Sequence, residues 1–425
     1  MKKIFLITLA LWSALSVFTQ QVKEITLDYC YGKAEQNHPL SQNFQLIDRA
    51  AELKIENLNK NYLPDFDLNG SAHYQSDVTK VPSIVPMSEF RIEPIDKDWY
   101  KLTLDLQQTV YDGGLTKRNK MVEQAEKQIK AQEARVEIYK VKDQVNKLYF
   151  NILSLQENIR ILKLHEEVLQ QRMKEVEAAV GSGALLESDL DQLQAELIKI
   201  DQGMKELEIG MDVSGKILSE IIGEKIPEDA LYKLPSPEIR KAYDPRTRPE
   251  YALMDYEQLK LETLKELTTA RDIPKVFGFG QLGYGRPGFD MLNNDFEEFY
   301  IVGLKLNWSI YEWGKTKNEK EILEISKEMI ENRKRNFDRV ITIQSEEQLS
   351  EIKKFRMLIE KDREILELRE KVTATYGSRL RNGVITTADY LEQLNAESEA
   401  RLNLKLHEIR LAAAMINYQT TNGNI

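Results

Sequence analysis

Residues 100–114 read YKLTLDLQQTVYDGG, and residues 300–314 read YIVGLKLNWSIYEWG. Large apolar residues alternate with small or polar ones in both. Tyr100, Leu102, Leu104 and Leu106 oppose Lys101, Thr103, Asp105 and Gln107. Tyr300, Val302, Leu304, Leu306, Trp308 and Ile310 oppose Gly303, Lys305, Asn307 and Ser309. A period of two is the signature of a strand with one apolar and one polar face. Each run stops at matching punctuation, Tyr111-Asp112-Gly113-Gly114 and Tyr311-Glu312-Trp313-Gly314, and a long charged stretch follows. Gly113, Gly114 and Gly314 let the backbone turn from strand into helix. Two strand-to-helix passages 200 residues apart therefore organise the chain.

A partner run precedes each passage. Phe66, Leu68, Gly70, Ala72 and Tyr74 alternate with Asp65, Asp67, Asn69, Ser71, His73 and Gln75. The run Val276 to Gly285 is glycine-rich, and its facing is ambiguous. Strands are expected at about 65–75, 99–111, 275–285 and 299–311. Helical segments precede the first and third, one roughly from Leu27 to Tyr62, and Pro64 and Pro274 end them because proline disfavours helix at the residue before it. Pro39 and Pro249, like Pro64 and Pro274, lie 210 residues apart. Gly114 and Gly314, Gly183 and Gly383, and Asp189 and Asp389 lie 200 apart. Five such pairs in order mark an internal duplication, and so long a period means two related units rather than a solenoid. The expected division is a leader at 1–19, a first repeat at 20–222, a proline-rich connector at 223–247 and a second repeat at 248–425.

Downstream of the first passage the apolar spacing changes to alternating threes and fours. The seam runs from Ile138 through Val145, Ile152, Ile159, Leu169 and Val176 to Val180, and only Glu166 is polar. This is the a/d pattern of a coiled coil. Leu115 to Val180 as one helix extends about 100 Å at ~1.5 Å per residue. The matching stretch from Lys315 to Leu380 keeps the seam at Ile341, Ile352, Phe355, Ile359 and Leu366 but breaks it at Ser345, Gln348 and Asp362, so one face is expected to meet water. The helices end at glycine turns, Gly181-Ser182-Gly183 and Asn382-Gly383, where Gly and Asn are the usual left-handed caps. Shorter helices return from Leu185 and Ile385. Both hairpin tips are expected at the end far from the strands.

Half-buried sheets in soluble proteins also alternate. Two features favour a membrane here. Each run has the ~10-residue length of a tilted spanning strand, and aromatic residues (Tyr74, Tyr100, Tyr300, Tyr311) stand at run ends, as in the interfacial girdles of membrane barrels. Asp65, Asp67, Asp105 and Lys101 on the polar face suit a water-filled lumen. In lipid only a closed barrel satisfies strand backbones. Four strands are too few, because small barrels have about eight, so the chain must oligomerise. Connections 77–97, with Pro82, Pro86 and Pro94, and 286–297 are expected outside, and Trp308 and Trp313 at the inner interface.

Lys2 and Lys3 ahead of the apolar run Ile4–Phe18 form a signal peptide, cleaved near Thr19 or Gln20. The formal net charge of −10 argues against nucleic-acid binding, which needs basic contacts to phosphates. Cys30 is the sole cysteine, so no disulfide is expected within the chain. His38, His73, His165 and His407 are scattered without metal-ligand spacing. No phosphate loop, nucleophile elbow or paired acid site is evident, so neither metal nor cofactor nor catalytic activity is expected.

Taken together, Leu27-Asp28-Tyr29 to Asn37-His38-Pro39, Tyr111-Asp112-Gly113-Gly114 and the two glycine tips, all in duplicated order, resemble the TolC-like outer-membrane efflux proteins over essentially the whole mature chain. The resemblance implies a mixed α+β membrane fold. Four transmembrane strands from each of three protomers close a twelve-stranded barrel, and the coiled-coil helices form a periplasmic α-barrel. It implies a passive conduit of a tripartite efflux or type I secretion system, met at the tips by a periplasmic adaptor and an inner-membrane pump. The implied docking residues are Gly181, Gly183, Asn382 and Gly383. The implied periplasmic aperture residues are Asp389, Glu392, Ser188 and Asp189. The family's linking Tyr and Arg fall at Leu380 and Ile385, so the closing link departs from the family here, with Arg379 or Arg381 as candidate substitutes. The competing reading is a soluble periplasmic coiled-coil scaffold or adaptor, which explains the heptads but not the aromatic-flanked strands.

Overall fold

The structure, a computed structural model, describes residues 24–79, 94–238 and 244–424. The expected leader, Pro82 and Pro86 lie outside the described residues. In chain order the elements are β1 (Glu24–Ile25), α1 (Leu27–Asn37), α2 (Asn43–Lys60), β2 (Asp65–Tyr74), β3 (Asp98–Tyr111), α3 (Leu115–Gly181), α4 (Glu187–Ile222) and β4 (Leu231–Tyr232). There follow α5 (Pro249–Arg271), β5 (Lys275–Arg286), β6 (Glu297–Asn307), α6 (Lys315–Arg381) and α7 (Thr387–Thr421). The long helices α3 and α6 both run 67 residues. No helix among the described residues is long and apolar enough to cross a membrane.

Two expected boundaries are corrected. The single helix expected from Leu27 to Tyr62 is two helices. Pro39 forces His38 to an extended backbone (φ −61°, ψ 130°), and a short 3-10 turn, Pro39–Gln42, separates α1 from α2. The fourth strand stops at Asn307 rather than 311. Asn307 pairs with Lys275, the first residue of β5, and Pro274 before it has no N–H to extend the ladder.

The chain forms two compact units. One comprises Asn43–Glu133 and Ala252–Arg335. Its centre is a four-stranded antiparallel sheet in the order β2-β3-β5-β6. Directly paired residues share a face, so the register assigns every side chain. Phe66 pairs with Leu106, Leu68 with Leu104, Leu102 with Tyr284, Leu104 with Leu282 and Leu282 with Tyr300. These form one apolar face, and Leu68, Val302 and Leu304 on it are more than 70% exposed in the single chain. The register also settles the ambiguous third strand. Gly278, Gly280, Leu282 and Tyr284 lie on the apolar face, while Phe277, Phe279, Gln281 and Gly283 lie on the polar one.

The other unit comprises Met1–Gln42, Ala134–Tyr251 and Asn336–Ile425. Among the described residues, one apolar core gathers Ile25, Cys30, Val145, Tyr149, Leu218, Ile222 and Ile416 around paired β1 and β4. Burial pushes the Cys30 thiol up to about 12, so it remains a protonated apolar filler. The second core joins Leu169, Val176, Leu193, Leu380, Tyr390 and Leu394. Along α3 the buried seam drifts. Ile138, Val145, Ile152 and Ile159 are buried before Glu166, whereas Leu169 and Val176, on the alternate heptad position, are buried after it. A helix of 3.6 residues per turn rotates about 20° per heptad against a 3.5 repeat, which moves the contact line this way. Leu155 and Leu162 instead lie against Gly210 and Gly203 of α4, where a Cβ would stand 3.7 Å from each side chain. On α6, Asp362 breaks the apolar seam because its carboxylate meets His407 Nδ1 of α7 at 2.5 Å.

Tyr149 ties the first core to the start of the chain. Its hydroxyl donates to the Ile25 carbonyl (2.9 Å) and lies 2.6 Å from the Lys233 carbonyl, and the side chain is fully buried. Tyr149→Phe removes the hydroxyl from the Lys233 carbonyl and leaves the Ile25 carbonyl with the Lys233 N–H alone (3.1 Å), and the expected loss is about 1 kcal/mol. A urea midpoint equal to that of the wild type would show that these carbonyls find other partners.

Candidate functional site

In the sheet unit, both strand-to-helix turns depend on left-handed backbone. Gly113, Gly114 and Gly314 have φ of 70°, 80° and 79°. A Cβ on Gly113 would lie 2.8 Å from Ile273 Cβ, whereas Gly314 has open space around it. Asp112 organises the first turn. One carboxylate oxygen accepts from Gly114 N (2.8 Å) and the Tyr62 hydroxyl (2.9 Å), and the other accepts from Thr116 N (2.6 Å). Burial pushes its pKa up, but these hydrogen bonds outweigh it, and the net direction is down. In the second passage Trp313 occupies the place of Gly113 at φ 53°, a conformation side chains rarely adopt. Trp313 is almost fully exposed, with Tyr311 edge-on to it at 5.1 Å.

In the helical unit the two hairpin turns repeat each other bond for bond. Gly183 (φ 75°) and Gly383 (φ 68°) are the left-handed residues. Ala184 N donates to Ala179 O (2.9 Å) and Val384 N to Arg379 O (3.0 Å), while Gly183 N and Gly383 N donate to Val180 O and Leu380 O. This is the Schellman pattern. It corrects the capping role expected of Gly181 and Asn382: Gly181 is the last residue of α3, Asn382 follows the last residue of α6, and neither has positive φ. Leu186 and Val384 stand exposed beside the turns.

Asp189 and Asp389 each begin a returning helix. The Asp389 carboxylate accepts from Thr386 N (3.0 Å) and the Thr386 hydroxyl (2.7 Å), and Thr386 Oγ1 also lies 3.2 Å from Asp389 N. These bonds hold the Asp389 carboxyl below the usual range. Asp189 has half of this arrangement. It accepts from Leu186 N (3.1 Å), but Leu186 has no side-chain oxygen to return the bond. The Thr386-x-x-Asp389 spacing of a capping box was therefore a legible signal of a local role. Ser188 and Glu392 are exposed.

Leu380 is buried in the second core with Ile385 against it, so neither supplies a polar link. Arg379 lies over the ring of Tyr376, on its own helix, at 5.7 Å. Sequence reasoning missed a polar contact between the two hairpins. The Arg172 guanidinium of α3 lies 4.8 Å from the centroid of the Tyr390 ring of α7, and a Cβ on Gly377 of α6 would stand 3.1 Å from it. The small residue at 377 admits the arginine, a relation no local pattern reveals. Beside it a groove of about 380 Å³ is lined by Glu175, Val176, Ala184, Leu185, Arg381 and Gly383. Among the described residues no group of three or more His, Cys, Asp or Glu side chains is placed to hold a metal.

Residues 30–203 match the outer membrane efflux protein family. No curated protein sequence matches the chain. Several solved structures share its fold. CusC, studied for the changes that accompany its folding and transmembrane channel formation, aligns over 93% of this chain and 92% of its own, at TM-score 0.70 and 12% identity. VceC, an outer membrane protein of Vibrio cholerae, aligns over 93% and 96%, at TM-score 0.66 and 14% identity. The MtrE outer membrane channel of Neisseria gonorrhoeae, in its open state, aligns over 94% and 89%, at TM-score 0.66 and 12% identity. At such identities the likeness is one of fold.

Proposed function

We propose that the chain is a TolC-like outer-membrane efflux protein and that three copies close one passive conduit from periplasm to exterior, a reading supported by the family match in residues 30–203 and by a fold shared with CusC over 93% of its length. Each copy contributes four strands to a twelve-stranded barrel in the outer membrane and its long helices to a periplasmic tunnel. The observation that carries this reading is the open sheet. Among the described residues nothing pairs with the outer edge of β2 or of β6, and the sheet's apolar face is exposed. Unpaired edges beside an apolar face are untenable in lipid unless other copies close them.

The helices support the same reading. On α6, Ile322, Met329, Ile343 and Met357 share one heptad position, and these and Ile325 are exposed in the single chain. These exposed apolar side chains, set among polar ones, suit contact with a neighbouring protomer. Exposed Leu186 and Val384 and the groove beside Arg172 suit docking of a periplasmic adaptor at the hairpin turns. Asp389, Glu392, Ser188 and Asp189 then surround the inner aperture, with Arg172 and Tyr390 holding each protomer's hairpins together in place of the family's link.

The mass of the detergent-extracted protein by light scattering, corrected for bound detergent, is expected to be that of a trimer. A monomer stable without detergent would sink the channel reading and leave the periplasmic scaffold as the better account.

A further inference from the structure

The connection between β5 and β6 sends one phenylalanine to each face of the sheet. Phe296 stacks on Tyr284 (ring centroids 5.6 Å apart) and lies 6.1 Å from Tyr100, both on the apolar face. That position matches an interfacial aromatic girdle. Phe289 turns to the polar face, where a girdle has no use. Its centroid is 4.6 Å from that of Phe299, which the register places among the polar-face residues. Phe299 is buried over Gly283, where a Cβ would stand only 2.1 Å from its ring. Phe289 is half exposed.

Lys101 of β3 completes the cluster. Because Gly283 and Gly285 of β5 carry no side chains, the Lys101 ammonium reaches across that strand to within 5.0 Å of the Phe299 centroid and 6.0 Å of the Phe289 centroid. Lys101 makes no ion pair among the described residues. The polar-face carboxylates near it are otherwise engaged: Asp105 accepts from Asn69, Thr103 and Gln281, and Glu297 accepts from Asn293. An ammonium with no direct ion pair among the described residues thus sits beside an exposed aromatic surface on the side meant for water. An ammonium is attracted to aromatic faces, and a few placed polar groups among apolar ones are what a small-molecule site consists of.

We propose that Lys101, Phe289 and Phe299 form a contact site for aromatic anions on the lumen wall near the β5–β6 connection, in three copies per channel. The ring of the solute stacks on Phe289 and its anionic group meets the Lys101 ammonium. This rests on the polar face being the lumen.

The test uses single-channel recordings of the full-length protein in planar bilayers, with naphthalene-2-sulfonate and methanesulfonate as probes. Naphthalene-2-sulfonate is expected to reduce the open-channel current at concentrations where methanesulfonate does not. Phe289→Ser and Lys101→Gln are each expected to weaken that block by about fivefold, in proteins whose detergent mass is unchanged. Equal effects of the two sulfonates, or block unaltered in both variants, would overturn the site while leaving the conduit intact. A protein that forms no conducting channel would overturn the conduit reading, and this site with it.

Discussion

Gly113→Ala is expected to destabilise the protein by about 2–5 kcal/mol, and Gly314→Ala, at the same place in the second repeat, by about 1–2 kcal/mol. Both substitutions impose a side chain on left-handed backbone, a cost of roughly 1–2 kcal/mol. Only Gly113 adds overpacking, because its new methyl meets Ile273 at 2.8 Å while that of Gly314 meets nothing within 4 Å. Overpacking of this kind costs about 1–3 kcal/mol more. Thermal melting of the two variants in detergent, followed by circular dichroism, checks the difference. Equal shifts would mean that Ile273 moves aside at no cost and that the first turn is no tighter than the second.

Asp389→Asn combined with Glu392→Gln is expected to weaken block by multivalent cations from the periplasmic side by about tenfold. Carboxylates repeated around a three-fold axis focus negative potential on the pore, and removing two from each protomer takes away most of that field. The asparagine at 389 keeps an oxygen that can accept from Thr386, so the start of α7 keeps its cap while the charge goes. The hydrogen bonds from Thr386 hold Asp389 below the usual carboxylate range. Its share of the block should therefore persist as pH falls past the point where an ordinary carboxylate is neutralised. Block unchanged in the double variant would remove both residues from the pore and leave Asp389 a helix cap alone.

How far the sequence could be read follows from how local each feature is. The period-two runs in β2, β3 and β6, the glycines at 113, 114, 183, 314 and 383, and the 200-residue repeat reflect backbone conformation and side-chain alternation along a few residues. They are written in consecutive letters. The Thr386-x-x-Asp389 cap is equally local. His407 looked like one of four scattered histidines, because its partner Asp362 lies on another helix.

The sequence by itself determined the duplicated strand pairs, the long helices and the turns that join them, since turn geometry and hydrophobic period depend on neighbours within a turn or two. Only the tertiary structure decided which face of the glycine-rich β5 each side chain occupies. Glycine carries no polarity, so the facing came from the register against β3 and β6. The fold likewise decided that Arg172 meets Tyr390 across Gly377, and that Lys101 reaches Phe289 and Phe299 across two glycines. In each case the deciding feature is a missing side chain on an intervening element, which lets residues distant in sequence approach.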